Sequence, residues 1–254
     1  MSPQGDDYII EATGLSKQFM GFLAVQNVDL KVRRHSVHAL IGPNGAGKTT
    51  TFNLLTKFLA PTTGTIRYNG EDITALKPAQ VARKGMVRSF QISAVFPRMT
   101  VADNVRIALQ RPLGTSYHFW RSERSLLVLD QRVEELLEAV GLHDYRRHNA
   151  SELPYGRKRA LELATTLALD PEMLLLDEPT SGLGHEDVDR VSELILSVAR
   201  DRTVLMVEHN LSVVARLSHT ITVLARGQVL CEGPYETVSK DPRVVEAYIG
   251  GADA

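Results

Sequence analysis

The stretch SVHALIGPNGAGKTT, residues 36–50, decides the fold of this chain. It begins as a mostly apolar run that ends in glycine, as a buried strand feeding a turn would, and a helical pattern follows from Thr49 to Leu59. Between strand and helix, residues 42–49 fit the spacing G-x-x-x-x-G-K-[ST]. Backbone N–H groups of such a loop surround phosphate oxygens, and the helix adds the positive end of its dipole. The segment therefore predicts a phosphate-binding loop.

Each residue type in this loop has its own role. Gly42 and Gly47 let the backbone curl, Lys48 can reach the β- and γ-phosphates of a nucleotide, and the Thr49 hydroxyl can ligate Mg²⁺. The alternative is a glycine-rich turn that fits by accident, which happens in about one chain of this length in a hundred. The flanking strand and helix make that alternative rarer still. We expect a nucleotide to contact Gly42, Pro43, Asn44, Gly45, Ala46, Gly47, Lys48, Thr49 and Thr50.

Composition narrows the function classes. The chain has 254 residues, which suits one large domain or one domain with an inserted lobe, and 43% of them are apolar, enough for a sizeable core. Its formal net charge of -1 provides no basic field for nucleic acid. A single cysteine, Cys231, fits a reducing compartment. We expect no signal peptide, because the N-terminal MSPQGDDYII has no basic region followed by an apolar stretch. We also expect no membrane span, because no apolar run approaches about 18 residues.

The remaining patterns predict a mixed α/β fold. Two apolar runs, residues 173–179 and 203–209, flank a helical stretch, and strand, helix, strand implies a parallel sheet. Residues 8–40 and 60–73 predict short strands and a hairpin, and TITVLARGQVLCEG predicts a second hairpin that turns at Arg226-Gly227. From about Pro78 to His148, helical periodicity predicts a separate lobe.

Acidic residues end the apolar strand MLLLDEP, residues 173–179. Ligands of a parallel sheet bind at the carboxyl ends of its strands, so Asp177 is placed to hold Mg²⁺ and Glu178 to polarise the attacking water. The alternative is a strand followed by a helix cap. His209 ends the next apolar strand, where its ring could reach a γ-phosphate, although a lone histidine is more often structural.

Taken in chain order, these segments resemble the ATP-binding cassette (ABC) ATPases over nearly the whole sequence. GPNGAGKT resembles the Walker A loop, and MLLLDEP resembles Walker B with Glu178 as the catalytic base. The resemblance implies ATP and Mg²⁺ as cofactors and makes His209 the switch histidine. It makes Gln91 the Q-loop residue, which joins Thr49 and Asp177 at the metal. It also implies that Phe19 and Val25 contact the nucleotide; without the family, a core phenylalanine would be the better interpretation of Phe19.

The family also implies a fold. We expect an α/β P-loop NTPase core with a mostly parallel sheet, an N-terminal antiparallel β subdomain and an inserted α-helical lobe. Residues 1–254 would form one ABC ATPase domain, with the core at about 8–77 and 165–254 and the helical subdomain at about 78–164.

The segment ELPYGRKRALE, residues 152–162, resembles the ABC signature, usually L-S-G-G-Q. In the family two ATPase units pair head to tail, and the signature of one faces the ATP of the other. The resemblance assigns Leu153, Pro154, Tyr155, Gly156 and Arg157 to the partner's ATP.

Several residues depart from the family pattern, and three of them bear on the chemistry. Pro154 replaces the signature serine and offers neither a hydroxyl nor an N–H. Arg157 replaces the glutamine and could restore a positive contact. Gly184 stands where the D-loop often has Asp. The Walker motifs of this chain are complete, whereas its signature is weakened. We therefore favour pairing with a different ATPase subunit, a homodimer being the alternative.

Sequence features that are less specific than these motifs resemble the ATPase subunits of branched-chain amino-acid-type importers. They are Tyr155, the segment RSFQISAVFPRMTVADNV, an insert at 109–130 and the ending VVEAYIG. The resemblance implies a peripheral protein at the cytoplasmic face of a prokaryotic membrane, docked near 91–100 on separate permease chains and served by a substrate-binding protein, without nucleic acid. The insert around Trp120 would cap the lobe or touch a partner. Lipopolysaccharide-type exporters, soluble ABC ATPases and a regulatory module without turnover are the alternatives.

Overall fold

The computed structural model describes residues 7–89, 95–110 and 123–249. The strands are β1 (Tyr8–Phe19), β2 (Phe22–Arg33), β3 (Val37–Ile41), β4 (Thr63–Tyr68), β5 (Glu71–Asp72), β6 (Met86–Arg88), β7 (Met173–Asp177), β8 (Thr203–Val207), β9 (Thr220–Ala225) and β10 (Gln228–Gly233). The helices are α1 (Lys48–Leu55), α2 (Pro78–Arg83), α3 (Val101–Gln110), α4 (Glu123–Ala139), α5 (Tyr155–Leu167), α6 (His185–Val198), α7 (Leu211–Leu217), α8 (Tyr235–Val238) and α9 (Pro242–Ile249). Short 3₁₀ turns lie at His143–Tyr145 and Ala150–Glu152.

The strands form two sheets. The larger has the order β10-β9-β3-β8-β7-β6, and the pairs from β9 to β6 are parallel. The smaller is antiparallel, with the order β2-β1-β4-β5. The hairpin β9-β10 turns at Arg226-Gly227, so that prediction is confirmed.

Alternate side chains of the central strands face two separate cores. Leu174 and Val204 pack in the core shared with α5, α6 and α7, whereas Leu175 and Leu205 pack in the core shared with α1 and the antiparallel sheet. Every residue of β3, β7 and β8 is buried. Burial on both faces explains why these strands are continuous apolar runs rather than alternating ones.

The first helix ends earlier than the sequence predicts. The pattern favours a helix to Leu59, but α1 ends at Leu55. The Thr56 hydroxyl donates to the Phe52 carbonyl at 2.7 Å, and Lys57 adopts a left-handed conformation with φ 64°. A left-handed residue ends the helical hydrogen-bond ladder, so the apolar residues beyond it belong to a loop.

Helices α3, α4 and α5 pack against one another in the region predicted to be a lobe. Val105, Leu137 and Leu161 are fully buried within it. Strand β6 lies inside the range 78–164 that the sequence assigned to the lobe, yet it pairs with β7 in the main sheet. The strand has only three residues, which is too few for its pattern to be recognised within the helical periodicity around it. The wider division of the chain into core and lobe stays a prediction.

In the described ranges, none of the helices combines the length and apolarity that a membrane crossing needs.

Candidate nucleotide-binding and catalytic site

The loop between β3 and α1 has the backbone that phosphate binding requires. Gly47, at the N-cap of α1, has φ 96° and gives the helix no side-chain cap. The first N–H groups of α1 therefore stay available to an anion. A Cβ atom on Gly42 would lie 2.1 Å from the Leu224 carbonyl oxygen, so only glycine fits between this loop and β9.

Lys48 lies over this loop. Its ammonium donates to the carbonyl oxygens of Gly42 at 2.7 Å and Pro43 at 2.9 Å. Burial lowers the pKa of Lys48, and the nearby carboxylates of Glu178 and Asp177 oppose that shift. The amine is thus held beside the loop by neutral carbonyls that a phosphate group could replace as partners.

Asp177 ends β7 and is almost fully buried, with its Oδ2 atom paired to the guanidinium of Arg88 at 2.5 Å. The sequence interpretation did not include Arg88. Glu178 follows in the left-handed region, with φ 47°, and donates its backbone N–H to Val207 at 2.9 Å. Non-glycine residues in this region cluster at functional sites, where the surrounding structure imposes the conformation.

The structure brings Glu178 and His209 together. Strands β7 and β8 pair in parallel, with Asp177 opposite Val207, so the residues that follow them emerge at the same edge. His209 Nδ1 lies 3.5 Å from Glu178 Oε1, and the two side chains are 56% and 28% exposed. Both groups therefore face an accessible site, as their proposed roles require.

Glu208 was missed by the sequence interpretation. Its buried carboxylate accepts from the Thr180 N–H at 3.0 Å and hydroxyl at 2.6 Å, and from the N–H groups of His209 at 3.1 Å and Asn210 at 3.3 Å. It therefore joins the loop after β7 to the loop after β8. The available signal was an ionisable residue at the end of an apolar strand, a place where buried charge needs partners.

Arg159 on α5 was missed as well. It donates to the carbonyl oxygens of Asp177 at 2.8 Å and Pro179 at 3.3 Å, and pairs with Glu162 at 2.7 Å. The helix that opens with the signature segment thus holds the backbone that carries Glu178.

Pro154 is the N-cap of α5, so the helix forms despite the missing hydroxyl, as expected for proline at a helix start. Tyr155 is exposed and lies beside Gly182. The guanidinium of Arg157 stacks on the Tyr145 ring, 3.9 Å from its centroid. That contact engages Arg157 within its own lobe. Leu153 is buried under the helix start.

Two residues assigned to the nucleotide, Phe19 and Val25, differ in their exposure. Phe19 is 40% exposed at the β1-β2 turn, so the alternative of a core phenylalanine is wrong. Val25 is fully buried, with Cγ2 3.5 Å from the position of a Cβ on Gly47, and so supports the loop from below. Their contact with a nucleotide stays a prediction. Gln91, Trp120 and Gly250 lie outside the described residues.

The oxygen donors present fit Mg²⁺. Thr49 is exposed at the start of α1, and Asp177 offers a carboxylate. Among residues 7–89, 95–110 and 123–249, no group of three or more His, Cys, Asp or Glu side chains forms a complete metal cage. Mg²⁺ is usually held by one or two protein oxygens together with phosphates and water, so this sparse set suits it.

Residues 25–181 match the family model described as ABC transporter. This chain belongs to the ABC transporter family. A second model, described as Branched-chain amino acid ATP-binding cassette transporter, matches residues 228–254 of the ABC ATPase. The resemblance inferred from the motifs is confirmed, as is the predicted α/β P-loop NTPase fold. As a member of this family the chain is an ATPase that binds and hydrolyses ATP.

Curated relatives match this ABC ATPase along nearly its whole length. The high-affinity branched-chain amino acid transport ATP-binding protein BraF of Pseudomonas aeruginosa is 40% identical, over 96% of this chain and 98% of the relative. The corresponding protein LivG of Escherichia coli K12 is 37% identical with the same coverage. A probable LivG of Archaeoglobus fulgidus is 34% identical over 97% of both chains.

Solved structures also match this ABC ATPase along most of its length. A nucleotide-free ATP-binding cassette from an ABC transporter is 29% identical, with a TM-score of 0.83 over 96% of this chain and 99% of that one. A cassette of an ABC transporter in its ADP conformation is 30% identical, with a TM-score of 0.82 and the same coverage. A dimeric cassette bound to ADP and phosphate has a TM-score of 0.74 at 23% identity, over 89% of this chain and 98% of that one, so it shares the fold.

Proposed function

We propose that this ABC ATPase powers the uptake of branched-chain amino acids, or related small organic solutes, through separate permease chains. The observation that carries the proposal is the 37–40% identity, along nearly the whole chain, with proteins named for that transport. The same relatives favour uptake over a lipopolysaccharide-type exporter and over a soluble ABC ATPase. The chain would work at the cytoplasmic face of a prokaryotic membrane.

The proposed chemistry follows from the site. Glu178 orients the attacking water and accepts its proton. The negative charge that develops on the transferred phosphoryl group is stabilised by Lys48, the loop N–H groups and His209. Thr49, Asp177 and Gln91 would hold Mg²⁺, which neutralises charge on the phosphate oxygens when bound. Phe19 would stack on the adenine, since it is exposed at the β1-β2 turn.

The partner ATPase would differ from this chain. Each ATP of an ABC pair is proposed to lie between one unit's loop and the other's signature, and here the signature begins with Pro154. In a homodimer both ATP sites would lack the serine hydroxyl. In a heterodimer a complete signature would serve the ATP bound by this chain, while Pro154 would weaken only the partner's site.

A groove between the main sheet and the lobe suits the permease. It holds about 710 Å³, and Phe58 and Phe96, which line it, are 49% and 51% exposed. Exposed aromatic side chains of this size are typical of interfaces with other chains. We infer that a permease chain docks there, against the region 91–100.

Affinity purification of the tagged chain from detergent-solubilised native membranes tests this function. Mass spectrometry is expected to identify two permease chains and a second ATPase. Transport is then measured with the purified complex in liposomes supplied with the substrate-binding protein, where leucine uptake should require ATP and vanish when the chain carries Glu178→Gln. Recovery of only soluble partners, ribosomes or DNA would overturn the proposal while leaving the ATPase assignment intact.

A further inference from the structure

Arg88 connects the two halves of the nucleotide site. One amino nitrogen pairs with Asp177 Oδ2 at 2.5 Å, and the other donates to Asn53 Oδ1 at 2.6 Å. The guanidinium carbon lies 5.6 Å from the centroid of the Phe52 ring. Asn53 and Phe52 belong to α1, the helix that begins at the phosphate loop, and Asp177 ends β7. Arg88 thus fixes the distance between the loop helix and the acidic strand end.

The pair is buried, which makes its charges strongly dependent on each other. The side chains of Arg88 and Asp177 are 11% and 3% exposed. A carboxylate so removed from water needs a cation beside it, because an unpaired buried charge is expensive. Without a divalent cation, Arg88 is the positive group that the described structure places on Asp177.

We propose that Arg88 is a positioning residue that competes with the divalent cation for Asp177 and thereby sets the metal affinity of the site. The inference rests on the proposed role of Asp177 in holding Mg²⁺. Arg88 stabilises the metal-free state by neutralising Asp177. When a divalent cation binds the same carboxylate, that neutralisation is lost or shared, and two positive groups approach one another. By linkage, a group that stabilises only the metal-free state lowers the affinity for metal.

The test uses Mn²⁺ as the metal, with ADP present, and counts free Mn²⁺ by electron paramagnetic resonance. Arg88→Gln removes the charge and is expected to tighten Mn²⁺ binding about tenfold, within the usual range of coupling between sites. The metal-free Arg88→Gln protein should also melt at a lower temperature and gain more from added Mn²⁺ and ADP than the wild type does. Arg88→Lys keeps the charge and should stay within about threefold of wild type.

Two further variants separate the possible failures. Asn53→Ser removes the hydrogen bond that helps to hold Arg88 against Asp177. The ion pair should loosen and Mn²⁺ binding should tighten by a smaller factor, and this variant serves if Arg88→Gln does not fold. Asp177→Asn should weaken Mn²⁺ binding at least tenfold, and unchanged binding there would overturn the metal site itself. If Asp177→Asn behaves as expected but Arg88→Gln weakens Mn²⁺ binding or leaves it unchanged, Arg88 is only a structural partner and the competition proposal is wrong.

Discussion

Glu178 shows at a single residue how the fold positions chemistry. Its φ of 47° is held by the backbone bond to Val207 and by Arg159, which donates to the flanking carbonyls. Strain of this kind persists only where neighbouring structure imposes it. The carboxylate is consequently fixed beside His209 rather than free to rotate away with its backbone.

Glu178→Gln should reduce ATP hydrolysis at least about a hundredfold, because the amide cannot accept a proton from water. The affinity for ATP should stay within about threefold of wild type, since the phosphate loop is untouched. Phosphate release and equilibrium nucleotide binding measure the two effects. Glu246→Gln, exposed on α9, is the matched control. Hydrolysis at the wild-type rate in Glu178→Gln would remove Glu178 from its role.

His38 makes stability depend on pH. Burial lowers its pKa to about 4, and its Nε2 lies 2.7 Å from the Thr222 hydroxyl, which itself donates to Glu232 at 2.5 Å. The unfolded chain binds a proton near pH 6.5, whereas the folded chain does not until about pH 4. The stability contributed by neutral His38 is therefore complete above about pH 6.5 and declines as the pH falls below that value.

Urea denaturation should therefore give an unfolding free energy about 2 kcal/mol lower at pH 5 than at pH 7.5 from this residue. His38→Gln keeps a donor for Thr222 and should remove most of that difference. Replacing the exposed His185 by Gln should leave the pH dependence of the unfolding free energy unchanged. An unchanged pH dependence in His38→Gln would assign the effect to other groups.

At the scale of elements, α6 lacks a side-chain cap. Its N-cap is Gly184, with φ -72°, and a Cβ atom there would meet nothing within 4 Å. Aspartate accepts hydrogen bonds from the first turn and favours the positive helix end. Gly184→Asp should raise the unfolding free energy by a few tenths of a kcal/mol in urea denaturation. Gly184→Ala, which cannot cap, should lower it; a stabilising Ala or a destabilising Asp would contradict this account.

Helix α5 is tied to the end of β7 through Arg159. Replacing Arg159 by Ala leaves Glu162 and three backbone carbonyls without this donor in a mostly buried place, so the unfolding free energy should fall by about 3 kcal/mol. Arg132→Ala on α4 is the control, because Arg132 forms an Arg–Glu pair of the same spacing, with both side chains 46% exposed. The unfolding free energy should fall by about 0.5 kcal/mol or less in Arg132→Ala. Equal losses in urea denaturation would refute the role given to burial.

At the scale of the whole molecule, the weakened signature predicts how the chain assembles. Glu178→Gln with ATP should trap any ATP-dependent pair, since hydrolysis no longer separates the units. Because Pro154 would face both nucleotides in a homodimer, we expect this variant alone to remain a monomer when its mass is measured in solution. Addition of the second ATPase subunit should produce a dimer. A tight dimer of this chain alone would overturn the heterodimer proposal.

Much of the site follows from local pattern. The loop at Gly42, the end of β7 at Asp177 and the hairpin at Arg226-Gly227 were predicted from apolar runs and turn residues. The strand expected to end at His209 ends at Val207. The end of α1 at Leu55 was not predicted, because a single left-handed residue, Lys57, is invisible to periodicity. Nor was β6, three residues long and embedded among helical patterns.

The sequence by itself determined the phosphate loop, the order of the elements and the family, because glycine spacing and apolar periodicity act on neighbours along the chain. Only the tertiary structure decided which side chains support the site. Arg88 meets Asp177 across 89 residues of sequence, and Glu208 meets Thr180 across 28. Such pairs depend on which strands lie side by side in the sheet and on how α5 packs against them. No local pattern encodes these arrangements, since burial and partners exist only once the chain has folded.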